Sequence, residues 1–176
     1  MTVLQTKNLT LRPCSPDDRD DFMDLERDPA VMRFLNGGHA VDEVEGDPDS
    51  LFLMPRGREE HVWTARSTVG GGFIGWFCLW PNGNREAELG YRLRRAAWGR
   101  GLASEGARAL IHWGFSSGRY DTVVACTMAA HGASRRVLEK AGLRLVRTVA
   151  VDWAEAIPGG EQGEVHYAMA RPGGSG

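Results

Sequence analysis

Lysine is nearly missing from this chain: Lys7 and Lys140 are the only two in 176 residues, and arginine carries the rest of the positive charge. The formal net charge is −2 at pH 7. Binding to a phosphate backbone usually shows as a strongly basic domain, so nucleic acid is not an expected partner. Cysteine is scarce as well. Cys14, Cys78 and Cys126 are far apart, odd in number and outside any C-x-x-C spacing. That pattern supports neither a disulfide framework nor a zinc site, so no metal is expected and the three read as reduced, partly buried thiols. No stretch approaches the roughly 18 apolar residues of a membrane span. The opening MTVLQTKNLTLRP lacks a basic region followed by a long apolar run, and the expectation is a cytoplasmic protein that does not engage membranes. No internal repeat is present, and the length and the 42% of hydrophobic residues fit one domain with one core.

What is there falls into short elements. KNLTLRPC alternates Leu9, Leu11 and Pro13 with polar neighbours, the pattern of a half-buried strand. Ser15 and Pro16 are placed as cap and first residue of a helix whose apolar face continues through Phe22 and Leu25, and Asp28-Pro29 ends or kinks it. From Asn36 to about Glu60 the periodicity dissolves into a long Gly-, Pro- and acid-rich loop, with Asp42, Glu43, Glu45, Asp47 and Asp49 in it. HVWTARST, FIGWFCLW and REAELGYRLRR follow, separated by Gly70-Gly71-Gly72 and Pro81-Asn82-Gly83-Asn84, which predicts a three-stranded antiparallel meander. Ala103, Ala107, Leu110, Ile111 and Phe115 then mark one face of a helix. DTVVACTM reads as a buried strand, GASRRVLEKAG as a helix closed by Gly142, and LRLVRTVAVDW and EVHYAMAR as closing strands. The terminal RPGGSG reads as disordered.

Between the meander and the first long helix stands WGRGLASE, residues 98–105, with two glycines two positions apart at a strand-to-helix junction. A helix N-terminus offers free amides and a positive dipole end, which attract an anion, and small residues let it approach. The stretch has no Gly-Lys-Ser/Thr, so it is not a P-loop, and it lacks the glycine spacing of the dinucleotide fingerprint. It resembles instead the Q/R-x-x-G-x-G/A pyrophosphate loop of the GNAT acyltransferase superfamily, with Trp98 in the first motif position and Gly101 and Ala103 in the later two. FIGWF and EAELGYRL before the loop and SRRVLEKAGLR after it, together with the opening KNLTLRPCSPDDRDDFMDLERDPAVMRFL, resemble the subgroup of ribosomal-protein N-terminal alanine and serine acetyltransferases. The resemblance runs from about Lys7 to Arg171.

The resemblance implies an α+β fold: a single domain over residues 1–171, with 172–176 a disordered tail, and a mixed, mostly antiparallel sheet flanked by helices. A cofactor cleft opens where the central strands splay. It implies acetyl-CoA as co-substrate, its pyrophosphate on the amides of Gly99, Arg100, Gly101, Leu102, Ala103 and Ser104. Leu93 and Arg95 would run beside the pantetheine arm, and Arg135, Arg136 and Lys140 would approach the 3′-phosphate. Ser134 matches the serine of the family's N-x-x-S segment and would protonate the departing thiolate. The family's asparagine is replaced here by His131, which either keeps a hydrogen bond to pantetheine or acts as acid or base. Glu88, which shares a strand face with Glu86 if the strand is regular, is the chosen base, with Tyr91 and Tyr167 as weaker acid candidates and Glu105 as a first-turn helix residue. The expected reaction is acetyl transfer to a primary amine, either a protein N-terminus or an amine-bearing small molecule, by a monomer or homodimer. The alternative is a CoA-binding sensor or interaction module without catalysis.

Overall fold

The computed structural model describes residues 2–35, 55, 57–152 and 157–173. β1 (Leu4–Gln5) and β2 (Leu9–Pro13) form a hairpin at one edge. Leu9 and Leu11 are fully buried while Thr10 between them and Arg12 after them are not, as period-two alternation predicts. The expected first helix is split in two. A 3-10 turn, Pro16–Asp18, leads into α1 (Arg19–Glu26), and Asp28 then caps α2 (Pro29–Met32) by accepting from the Ala30 amide at 2.9 Å. Asp28-Pro29 therefore ends one helix and starts the next.

β3 (Val62–Ser67), β4 (Phe73–Pro81) and β5 (Glu86–Leu93) form the predicted antiparallel meander. α3 (Leu102–Ser116), β6 (Thr122–Met128), α4 (Gly132–Ala141), β7 (Arg144–Val149) and β8 (Glu164–Ala170) complete an eight-stranded sheet of order β1-β2-β3-β4-β5-β6-β8-β7. Each helix takes one face. α1 lays Phe22 and Leu25 on Val62, Phe73, Trp76 and Cys78. α3 lays Leu102, Ala107, Leu110, Ile111 and Phe115 on the other face, over Leu9, Phe77, Leu79 and Leu89, and α4 adds Leu138 and Ala141 to the same cluster.

Every pairing is antiparallel except one. β5 and β6 run parallel and pair only at Glu86↔Thr122, Ala87↔Val123 and Glu88↔Val124. Beyond Glu88 they part, so residues 89–93 of β5 and 125–128 of β6 face a gap in mid-sheet. On its other side β5 stays in continuous register with β4, from Pro81↔Ala87 to Gly75↔Leu93. That regularity keeps Glu86 and Glu88 on the face of α1, with Ala87, Leu89 and Tyr91 on the face of α3 and α4. Cys14 is half-buried and Cys78 buried, but Cys126, on β6 at the gap, is exposed rather than partly buried. The acidic positions 42–49 and the final three residues lie outside the described residues.

Candidate active site

The glycine stretch turns the chain from β5 into α3. Gly99 and Gly101 both hold left-handed backbone, φ 71° and 77°, which favours glycine. A Cβ built on either one meets no heavy atom within 4 Å. Packing is therefore not what keeps side chains away from this turn. The first α-helical hydrogen bond of α3 runs from the Glu105 amide to the Gly101 carbonyl, 3.0 Å, so the amides of Leu102, Ala103 and Ser104 are the ones a helix start leaves without an internal partner. Leu102 and Ser104 have buried side chains that pin the first turn, while Gly99, Arg100 and Gly101 are exposed. Leftover amides, a positive dipole end and open ground where a Cβ would stand suit the pyrophosphate of a nucleotide. The Trp98 indole ties the loop to the end of β5 by donating to the Leu93 carbonyl at 2.8 Å. Leu93 itself is buried, and Arg95 is exposed with its Nε 3.5 Å from Asp28.

The gap between β5 and β6 begins just beside this cradle, and its two faces carry different chemistry. On the face of α1, half-buried Glu88 accepts from the Cys126 thiol at 3.5 Å, and Glu164 holds His166 at 2.9 Å on the neighbouring strand. Though the residue is exposed as a whole, partial desolvation of its sulfur, then the charges of Glu164 and Glu88, pushes the Cys126 thiol up to about 12, so it stays protonated. Gly90 follows Glu88 on the same face, and a Cβ there would stand 2.7 Å from the Cys78 sulfur.

On the face of α4, the Tyr91 hydroxyl lies 2.9 Å from Ser134 Oγ, where either oxygen can donate, and 3.2 Å from the Ser134 carbonyl, a second acceptor for its one proton. Burial pushes this phenol up to about 12. His131 precedes α4 and is half-buried, its ring stacked on Phe34 at 4.3 Å. Burial, and then the nearby Arg33, lowers its pKa, which favours the neutral imidazole. Phe34 thus joins the end of α2 to the start of α4, a contact that local pattern does not announce.

Other expected residues sit elsewhere. Arg136 and Lys140 are exposed on α4. Tyr167 is fully buried, donating to Glu139 at 2.9 Å and accepting from Arg135 at 3.3 Å, so its hydroxyl is already engaged by α4. Glu105 stands in the first turn of α3, as expected, and there its carboxylate also accepts from the Thr6 hydroxyl, the Asn8 amide and the Asn8 side chain at 2.6–2.8 Å, fastening the β1–β2 turn to α3. Glu26, which sequence reasoning passed over, is buried beneath α1 in an ion pair with Arg92, whose guanidinium also lies over the Trp76 ring. Burial raises the Glu26 carboxyl to about 7 despite Arg92.

Residues 8–144 match the family model for an acetyltransferase (GNAT) domain. The FsC-acetyl coenzyme A-N(2)-transacetylase of Aspergillus fumigatus is 31% identical over 181 residues, spanning 96% of this chain and 76% of the fungal one. Among solved structures, an acetyltransferase (GNAT family) from Bacillus anthracis superposes with TM-score 0.77 at 19% identity, over 97% of this chain and 99% of that one. A spermidine N-acetyltransferase from Vibrio cholerae, in complex with CoA and spermine, gives 0.75 at 14% identity, over 94% and 97%. At such identities the two structures speak for the fold alone. Among the described residues no helix is long and apolar enough to cross a membrane.

Proposed function

The chain belongs to the GNAT acetyltransferase family, and from that premise we propose that it acetylates a cationic primary amine, with Glu88 as base and Ser134 as proton donor. It is an acetyl-CoA-dependent N-acetyltransferase. The observation that carries the finer reading is the division of the gap: a carboxylate on one face of the sheet, a hydroxyl on the other.

The cradle at residues 100–104 takes the pyrophosphate, and the backbone of residues 89–93 takes the pantetheine arm as a strand would, because β6 has left that edge free. Arg136 and Lys140 stand for the 3′-phosphate. Acetyl-CoA supplies an activated thioester, and the chain supplies the proton handling. An amine is an ammonium at neutral pH and attacks only once deprotonated. Glu88 removes that proton, directly or through one water, on the face of α1. The unpaired β5 amides meet the oxyanion that forms. Ser134 donates to the thiolate from the other face, so the nucleophile arrives on one side and the leaving group is received on the other. Glu164 next to Cys126 adds a second carboxylate on the acceptor side, which favours a cation. The names of two similar proteins agree in substrate class: one transfers to an N(2) nitrogen and the other is bound to spermine. The acceptor is therefore a small-molecule amine or a protein N-terminus.

Calorimetry with acetyl-CoA, followed by thiol release over a panel of polyamines, amino-acid amides and N-terminal peptides, tests this. Micromolar affinity and turnover with amines but not with alcohols is the expected result. Binding without turnover by any amine would return the site to a sensing role, and no binding by folded protein would remove the cradle assignment.

A further inference from the structure

We infer that Tyr91 is a positioning residue for Ser134: its phenol donates to Ser134 Oγ and thereby turns the serine's own proton into the gap between β5 and β6. The inference rests on the transferase reading, because it needs a sulfur in that gap to receive the proton.

Ser134 is the third residue of α4. A serine inside a helix ordinarily donates back to the carbonyl one turn earlier, here that of Ala130 or His131, and is then unavailable to a ligand. Tyr91 changes that competition. Its hydroxyl stands 2.9 Å from Oγ and 3.2 Å from the Ser134 carbonyl, and we assign its single proton to Oγ, the nearer of the two acceptors. A hydroxyl carries one proton and two lone pairs; once Oγ accepts from the phenol, its proton is free for another acceptor. Tyr91 is itself fixed. It stands in continuous register with Phe77 across β4 and β5, the two rings 6.0 Å apart. It also belongs to the five residues of β5 that have parted from β6, which lets its side chain reach α4 beside the gap. Burial keeps the phenol protonated well past neutral pH, so its donor role does not lapse in the working range. Tyr167, the other buried phenol nearby, is engaged with Glu139 and Arg135.

The experiment needs no acceptor. The affinity of free CoA is measured by calorimetry between pH 7 and 9.5, a window in which a thiol of pKa about 8.5 ionises, and acetyl-CoA, whose sulfur stays uncharged, serves as control. His131 just before α4, Glu139 on α4, the Tyr167 phenol on β8, and Glu88 and Cys126 on the opposite face are the titratable groups around the site, and Arg135 lies beside it. They act on the thiolate in wild type and variants alike, so their effects cancel when the CoA to acetyl-CoA ratio of each variant is compared with that of wild type. Wild-type protein is expected to gain about tenfold for CoA over acetyl-CoA across this window, the size of a charge-assisted hydrogen bond to the thiolate. Ser134→Ala and Tyr91→Phe should each lose most of that gain, and the double variant should lose no more than Ser134→Ala alone. A Tyr91→Phe protein that keeps the gain, losses that add in the double variant, or a wild type without any gain each overturn the inference while leaving the transferase reading standing. No CoA binding by wild type at any pH overturns both.

Discussion

Glu88 faces α1 and Tyr91, three positions along the same strand, faces α4. Strand alternation separates the base from the phenol that holds the acid, so a one-residue slip in β5 would turn Glu88 away from α1 and Tyr91 away from Ser134. One substitution at the carboxylate tests the division. Glu88→Gln keeps size and removes the base: kcat should fall about 10²- to 10⁴-fold, the acidic limb of the pH–rate profile should vanish, and CoA affinity should stay at the wild-type value in calorimetry. An intact acidic limb would move the role to Glu86 or to His131. Glu26 carries a different, structural prediction. Its carboxyl is raised in the folded protein from 4.5 to about 7, by burial that Arg92 only partly offsets. The folded state then holds the proton more tightly than the unfolded chain. The resulting stability is fully present below about pH 4.5 and is lost as pH rises through about 7, by at most a few kcal/mol. Melting curves between pH 5 and 8 should show this decline in wild type and a flatter profile in Glu26→Gln.

The element that joins fold to chemistry is the start of α3. Because a Cβ at Gly101 would meet nothing within 4 Å, a side chain can leave the backbone there toward open space, and the main structural cost is the left-handed backbone, about 1–2 kcal/mol. Gly101→Trp should therefore remain folded with a Tm a few degrees lower, yet lose acetyl-CoA binding in calorimetry, since the indole would stand over the leftover amides. Wild-type affinity in that variant would end the cradle assignment. Glu105→Ala should do the reverse: its carboxylate holds Thr6 and Asn8, almost a hundred residues away in sequence, so Tm should fall while acetyl-CoA affinity survives. These two residues also show what was legible beforehand. The glycine pair, the apolar stripe of α3 and the meander with its turns are local patterns, and the sequence carries them openly. The clamp of Glu105, the capture of buried Asp18 by Arg12, Thr64 and Arg66, and the stack of Phe34 on His131 join distant positions, where a charged or aromatic side chain reads the same whether solvated or paired. The short β1 strand went unseen for a related reason: two residues are too few to show a period.

At the scale of the molecule, among the described residues three parallel pairs between β5 and β6 form the only strand ladder that joins β1–β5 to β6–β8. Side-chain contacts such as Glu88–Cys126, Tyr91–Ser134 and Phe34–His131, and the shared core of α3 and α4, supply the rest. A strand-like ligand arm inserted in the gap would extend that seam, so binding should stabilise the whole domain. A ligand at a hundred times its Kd adds about 2.7 kcal/mol, worth roughly 5–10 °C in Tm at this size. Any ligand of the native state raises Tm, so melting alone does not locate the arm. Amide exchange does. CoA should slow exchange at residues 89–93 and 125–128, which face the gap, whereas adenosine 3′,5′-bisphosphate, which has phosphates and no arm, should raise Tm and leave those amides exchanging as before. Equal protection by both ligands would mean that the gap closes on its own when the cradle fills, and that the pantetheine arm lies elsewhere.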